Sequence, residues 1–305
     1  GILYGWLNEP EEAEAHLRES LELAKIIGAS FGIRAAMGNL YEFHYLPRGE
    51  LEQWRLFLEN EMEEAKVSED ELRIAYFELW NALLLYDYGQ YKQSLDLMKA
   101  LLQSAGEIAS KTELSDGHAL ISRLQAELGD FNGARRSFET SLQLSKETGL
   151  EVIEIHRLYE PAYISLLEGD QGRMRTDLEG LLGGMDRHRE FCNYSCIIER
   201  LDLVARLYLA LGQAEKAAEY SSEAMDLMRI TPSTSSPEVK LFTHARALFE
   251  LSQEKEAEEC LQKAFDRVML VANNMKDEEL RRSWLENVKI NRDILEAYAE
   301  RGIGD

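Results

Sequence analysis

Cysteine is scarce in this chain: three among 305 residues, at positions 192, 196 and 260. An odd, low count argues against a disulfide framework and for a reducing compartment. Proline is scarce too, at five, while Leu, Ala and Glu are plentiful, which favours helix over strand. No apolar run approaches the roughly 18 to 20 residues that span a bilayer. The opening GILYGWLNEPEEAEAHL has neither the basic start nor the apolar centre of a secretory signal. These absences predict a cytoplasmic protein. Positive charge is short as well: 34 Lys and Arg face 56 Asp and Glu, a formal net charge of −22. Such a surface repels phosphates, so neither nucleic acid nor an anionic membrane is an expected partner. Basic or mixed-charge protein partners stay open, and the charge also keeps a long helical surface soluble.

The motifs of common chemistries are missing. No G-x-x-x-x-G-K-[ST] loop is present, nor H-E-x-x-H, G-x-S-x-G or the kinase signatures. The chain is therefore not expected to be an enzyme; a parent protein that hydrolyses nucleotides would carry that site elsewhere. Acidic runs such as Glu9, Glu11, Glu12 and Glu14, or Glu61, Glu63 and Glu64, are expected on solvated helix faces, without a companion nucleophile. His188, Cys192 and Cys196 are spaced by four, which can place them on one helical face. Their types suit zinc or another soft metal, but no fourth ligand stands out, and buried cysteines on an apolar helix face are commonplace. No cofactor is expected.

What the chain does have is a period. Hydrophobic residues make up 45% and charged residues 30%, as in a folded protein with a large core. In LGDFNGARRSFETSLQL, residues 128–144, a glycine is followed by an acid, an aromatic and small residues at set intervals. Aligned on that glycine, anchor positions fall at Asn8, Gly49, Gly89, Gly129, Gly169, Gly212 and Ser252, spaced 41, 40, 40, 40, 43 and 40. A fixed period of this length signals an array of repeated units. Small residues recur five after the anchor (Ala13, Ser94, Ala134, Ala217, Ala257), twelve after it (Ser20, Ser141, Ala224, Ala264) and seven before it (Ala82, Ser122, Ala162, Ala205, Ala245). Helices approach closely only where side chains are short, so these positions mark crossings. Each unit reads as a first helix, a tight turn and a second helix. Glycine suits the left-handed residue that ends the first helix, and Asp130 or Asp170 can cap the second. First helices are expected near 30–46, 69–88, 108–128, 150–168, 190–211 and 237–251. Second helices are expected near 10–27, 50–66, 90–105, 130–147, 170–182, 213–229 and 253–272. The unit at 29–68 diverges, with Glu42 and Trp54 at two small positions, which predicts wider spacing or an altered angle there.

Gly129-Asp130-Phe131, Ala134, Phe138 and Ser141, with Ser122 before them, carry a resemblance to the tetratricopeptide repeat family. Ala205, Tyr208, Leu211-Gly212, Ala217 and Ala224 carry it again. The likeness covers about residues 8 to 272, with units longer than the usual 34 residues. It implies an all-α protein: a right-handed superhelical α-solenoid of antiparallel helix pairs. About seven units are expected over 1–272, the first cut short, then a capping helix and tail over 273–305. The missing initiator methionine and the brief segment before Asn8 predict a piece of a longer protein. The tail LRRSWLENVKINRDILEAY is similar to the ends of repeat arrays in large bacterial ATP-binding regulators, some joined to cyclase or kinase domains.

In such a curved rod the first helices line the concave side. Residues three, six, ten and thirteen before each anchor are expected to face it. The candidate groove residues are Asn39, Phe43, Tyr76, Arg123, His156, Tyr159, Tyr163, Arg206, Phe242 and Arg246. Arginine can hold a carboxylate through two parallel hydrogen bonds, and the aromatics can pack against peptide side chains. Alternatively, these arginines pair with Asp116, Glu199 and Asp202 and simply stabilise the wall. The expected function is an interaction and regulatory scaffold that binds a peptide, a partner protein or an upstream domain of its own chain. A small-ligand sensor of a bacterial ATP-dependent regulator is the alternative, and self-association is left open.

Overall fold

The computed structural model of the protein describes residues 10–105, 110–191, 194–231 and 235–303. Among the described residues there is helix and connecting turn, and no strand. Helix α1 (Pro10–Ile27) is followed by α2 (Ser30–Leu40), which runs through a π-helical turn (Tyr41–Tyr45) into Leu46–Arg48. Antiparallel partners then alternate: α3 (Leu51–Val67), α4 (Glu71–Asp87), α5 (Tyr91–Ala105), α6 (Lys111–Glu127) and α7 (Phe131–Thr148). The next first helix is split into α8 (Glu151–Arg157) and α9 (Tyr159–Glu168), packed on α10 (Gln171–Gly183). Then come α11 (Met185–Phe191), α12 (Tyr194–Ala210), α13 (Ala214–Ile230), α14 (Pro237–Glu250) and α15 (Glu254–Asn274). Two further helices, α16 (Glu278–Glu286) and α17 (Lys289–Arg301), follow. Beyond α15 the described residues 275–303 thus hold two helices, separated at Val288 (φ −71, ψ 100).

The turns obey the chemistry of their residues. The anchor glycines from 49 to 212 sit at φ between 68° and 80°, and Ser252 takes the same left-handed backbone at 57°. Asp130 caps α7 by accepting from the Gly133 amide at 2.8 Å, and Asp170 caps α10 from Gly172 and Arg173. Partner helices cross at the small residues. Ser122 Oγ donates to the Ala134 carbonyl at 2.8 Å and Ser94 Oγ to that of Ala82 at 2.6 Å, contacts that only close backbones permit. Ala205, Ala217, Ala245, Ala257 and Ala264 are fully buried.

Two proline effects break the expected continuity of the first helices. Pro161 has no N–H for the Arg157 carbonyl, and the helix expected over 150–168 breaks at Leu158 (ψ −12). Pro47 would press its ring on the Phe43 carbonyl in a regular helix; the chain instead widens into the π turn, where the Leu46 amide bonds to Tyr41 O. Glu61 also departs from expectation. It is buried rather than solvated, held 2.6 Å from Lys25 Nζ, because the side chains of Lys25 on α1 and Arg73 on α4 reach over it.

The ends of the array do not stay apart. Arg267 on α15 donates to the Pro47 carbonyl at 2.8 Å and to that of Leu46. Asn274 reaches the Arg48 carbonyl at 3.0 Å, and Ser283 on α16 reaches that of Tyr88 at 2.7 Å. The largest apolar core follows suit, joining Leu21, Met37, Trp54 and Tyr88 to Phe242, Val268, Trp284 and Ile294. The last helix pair and the two helices after it therefore close back on the first pairs. Smaller cores fill the pairs between.

The glycine turns at 49 and 89 are part of this closure. A Cβ on Gly49 would lie 3.1 Å from Val271, and one on Gly89 would lie 3.0 Å from the Val288 amide nitrogen. Gly129 has the same backbone with nothing within 4 Å. Gly89→Ala and Gly129→Ala both carry roughly 1–2 kcal/mol of left-handed strain, but Gly89→Ala also overpacks the closure, adding about 1–3 kcal/mol. Urea unfolding of the two variants checks this; equal losses would mean that the Gly89 turn does not press on Val288.

Candidate functional site

Closure leaves a central cavity of about 1140 Å³, lined mainly by first helices. Asn39 and Glu42 come from α2 and its π turn, Trp80, Leu83, Tyr86 and Asp87 from α4, and Asp116, Arg123 and Glu127 from α6. His156 and Arg157 lie on α8, Tyr159 and Tyr163 on α9, and Glu199, Arg200, Asp202 and Arg206 on α12. Lys240 and Arg246 on α14, Arg267 on α15, and Lys289 and Asp293 on α17 complete the wall.

Of the ten groove candidates, Asn39, Arg123, His156, Tyr159, Tyr163, Arg206 and Arg246 line the cavity. Phe43 does not: it is buried in the apolar core. The π turn holds an extra residue, so the face upstream of it rotates by one position, and Glu42 takes the place on the wall. Phe242 is likewise a core side chain. Ten residues before an anchor stands about 40° from the line through six before it, and on α14 that offset turns the ring inward under Arg246. Tyr76 packs against the same core and donates to the Arg34 carbonyl at 3.1 Å.

Among the described residues the wall carries nine Lys and Arg against eight Asp and Glu, whereas the whole chain has 34 against 56. Most of these cations are held. Arg123 Nη2 donates to Glu160 at 2.9 Å, with its guanidinium 5.0 Å above the Tyr159 ring. Arg157 pairs with Asp116 and stands 3.7 Å from Glu160. Lys240 holds Glu199 at 2.5 Å, and Arg206 lies 3.9 Å from Asp202. The carboxylates at 116, 199 and 202 thus do pair with cations, but only Arg206 among the three candidate arginines is a partner. Arg246 makes no ion pair among the described residues; it lies over Phe242 at 5.9 Å. Tyr159 and Tyr163 stack at 5.7 Å, and the Tyr163 hydroxyl bonds Glu127.

Burial tunes these groups. It pushes the carboxyls of Glu127, Asp202 and Glu238 above the ordinary range. Glu199 goes the other way: burial opposes its charge, but Lys240, the Ser235 hydroxyl and Arg123 together outweigh that. Burial, followed by the charge of Arg200, lowers His156 to about 4, so its ring is neutral. Asp87, which accepts from the Tyr41 hydroxyl at 2.7 Å, is raised by burial to about 7. Its folded value lies above its unfolded value, so its contribution is fully present below about pH 4 and is lost as pH rises through 7. Asp87→Asn should therefore stabilise at pH 8 relative to wild type, by about 1–2 kcal/mol because the cavity side of the carboxyl keeps some solvent, and not at pH 4. Unfolding curves at the two pH values test this; a pH-independent difference would contradict it.

The residues suited by type to a soft metal are not arranged as the spacing suggests. His188 is on α11 and Cys196 on α12, so they do not share one helix, and Cys192 lies outside the described residues. His188 is fully buried, and its Nε2 is 2.8 Å from the Ile155 carbonyl, which occupies that nitrogen. No group of three metal-ligating side chains occurs among the described residues. No described helix is long and apolar enough to cross a membrane.

No family model matches the sequence, and no curated protein matches it either. Solved structures do. A Rap protein complexed with competence and sporulation factor aligns with a TM-score of 0.61 at 11% identity, over 96% of this chain and 88% of that one. NprR in complex with its cognate peptide NprX aligns at 0.57 and 15%, over 97% and 88%. A signal transduction ATPase with numerous domains from Pyrococcus horikoshii, which has a tetratricopeptide repeat sensor, aligns at 0.53 and 12%. It matches 96% of this chain, which spans 47% of that protein's length. The fold is a tetratricopeptide-like α-solenoid.

Several wall residues of this solenoid escape a reading by turn spacing. Trp80 and Leu120 stand nine rather than ten before their anchors, an equally good fit to the helical face. Tyr86, by contrast, does stand where the spacing puts a wall residue, three before Gly89. Arg200 and Lys240 on the wall, and Glu160 buried behind it, carried no signal at all, because a single charge on an apolar helix face looks like a surface residue until its partners are known.

Proposed function

We propose that the central cavity binds a short peptide and that the solenoid is a regulatory module, transmitting that occupancy to a partner or to another domain of a larger regulator. The cavity carries this reading. At about 1140 Å³ it exceeds the roughly 300–1,000 Å³ of small-molecule pockets. Its wall alternates aromatic rings with charges of both signs, which suits an amphipathic chain rather than a lipid. Two proteins of like fold are described as complexes, one with competence and sporulation factor and one with a cognate peptide, which supports the same use here. Sensing of an effector within an ATP-dependent regulator is the second reading, supported by the likeness of nearly the whole chain to a protein with a repeat sensor.

Arg246 lines the wall with no ion pair among the described residues and Arg206 with only a 3.9 Å one to Asp202, so they are the cations to remove first. Affinity selection from a random hexapeptide library should recover ligands with the wild type, and Arg206→Ala/Arg246→Ala should weaken them about tenfold or more. Recovery of no peptide by the wild type would overturn the peptide reading. A metabolite that raises the melting temperature of the wild type would then favour the second.

A further inference from the structure

Arg200 differs from the other cations of the cavity wall. It is 4% exposed, lies on α12 and lines the cavity. No carboxylate oxygen lies within 4.0 Å of it among the described residues, whereas Arg123, Arg157 and Lys240 each have one within that range. Its acceptors are neutral: Nη1 donates to the Cys196 carbonyl at 2.8 Å, and Nη2 to His156 Nδ1 at 3.2 Å. Its Nε is buried with no partner. Around it, two cations, Arg123 and Arg157, are balanced by two carboxylates, Glu160 and Asp116. The local surplus is thus one positive charge, that of Arg200.

A buried ion without a counter-ion is costly, and a neutral side chain of similar volume would fill the same space. We propose that Arg200 is the anchor for one carboxylate of the peptide bound in the cavity. This rests on the peptide reading and names the group that the peptide must carry. The guanidinium presents a planar fork that matches a carboxylate. A surplus of one charge suits a carboxylate better than a phosphate, which carries nearly two. The carboxylate comes either from an Asp or Glu side chain or from the peptide's own C-terminus.

Affinity selection with three hexapeptide libraries tests the assignment. The first has a free C-terminus, the second is the same library amidated, and the third is amidated and lacks Asp and Glu. The wild type should retain peptides from the first and none from the third. Retention from the second assigns the carboxylate to a side chain, and its loss assigns it to the C-terminus. Dissociation constants of the retained peptides should rise by about 30-fold or more in Arg200→Met. Arg200→Lys, which keeps the charge and loses the fork, should fall between. A peptide-free arm separates anchoring from a merely structural role. Arg200→Met should melt a few degrees above the wild type, because the bare buried charge is gone. Sodium acetate should stabilise the wild type more than sodium chloride at equal ionic strength, and should not do so in Arg200→Met.

Retention from the third library equal to the first, or unchanged affinity in Arg200→Met, overturns the anchor and leaves the peptide reading standing. A lower melting temperature in Arg200→Met, no specific acetate effect, or greater stabilisation by inorganic phosphate than by acetate also overturns it. Failure of all three libraries with the wild type instead removes the peptide reading.

Discussion

Glu160→Ala should destabilise the protein by about 3–5 kcal/mol, the range for breaking a buried ion pair by removing one partner. Glu160 is fully buried. It accepts from Arg123 at 2.9 Å and lies 3.7 Å from Arg157, tying α6 to the split helix α8–α9. Arg157 is itself 7% exposed, and Asp116 alone would then have to balance it. Glu160→Gln keeps the shape and loses only the charge, so it should cost nearly as much. Removing both partners, as in Glu160→Leu with Arg123→Leu, should recover most of the loss, because no ion is then buried alone. Urea unfolding of the single and double variants gives the coupling. A single-variant cost below about 1 kcal/mol, the scale of an exposed pair, would show that water reaches Glu160.

Trp54→Ala should also cost about 3–5 kcal/mol, the range for emptying a large aromatic from a core. Trp54 is fully buried and stands at the centre of an aromatic cluster. Its ring centroid lies 5.5 Å from Tyr41, 5.2 Å from Tyr45, 5.4 Å from Phe57 and 5.4 Å from Trp80. Most other units place a small residue at this position and let the helices touch. Here the indole holds the helices apart, and the π turn brings Tyr41 and Tyr45 against it. Tyr41 and Trp80 also line the cavity, so the variant should lose peptide affinity as well as stability. Trp54→Phe, which keeps a ring in place, should cost less than half as much. Equal losses for the two variants would mean that the cluster is set by the indole N–H rather than by packing.

The period of forty residues carried the helix pairs, their turns and most of the cavity face. These follow from local rules, in which glycine turns, aspartate caps and short side chains mark crossings. Phe43 and Glu42 exchanged roles because one proline, Pro47, widened one helix by a single residue, an effect invisible to spacing alone. The closure was not legible either. Arg267 meets the carbonyls of Leu46 and Pro47 across some 220 residues of chain, and backbone carbonyls leave no mark in a sequence. Glu61, Glu160 and Arg200 were misplaced or missed for a related reason. Whether a charge is buried depends on what packs over it, and here the covering elements come from neighbouring units.

Closure of the array into a walled cavity is tested most directly by the distance between its two ends. Nitroxide labels at exposed positions 53 on α3 and 273 on α15, with Cys192, Cys196 and Cys260 replaced by serine, report it by pulsed electron paramagnetic resonance. Lys276 N bonds Glu52, and Asn274 bonds the Arg48 carbonyl, so a single narrow peak at short distance is expected. A broad distribution centred at long distance would show an open rod, with no central cavity to bind a peptide.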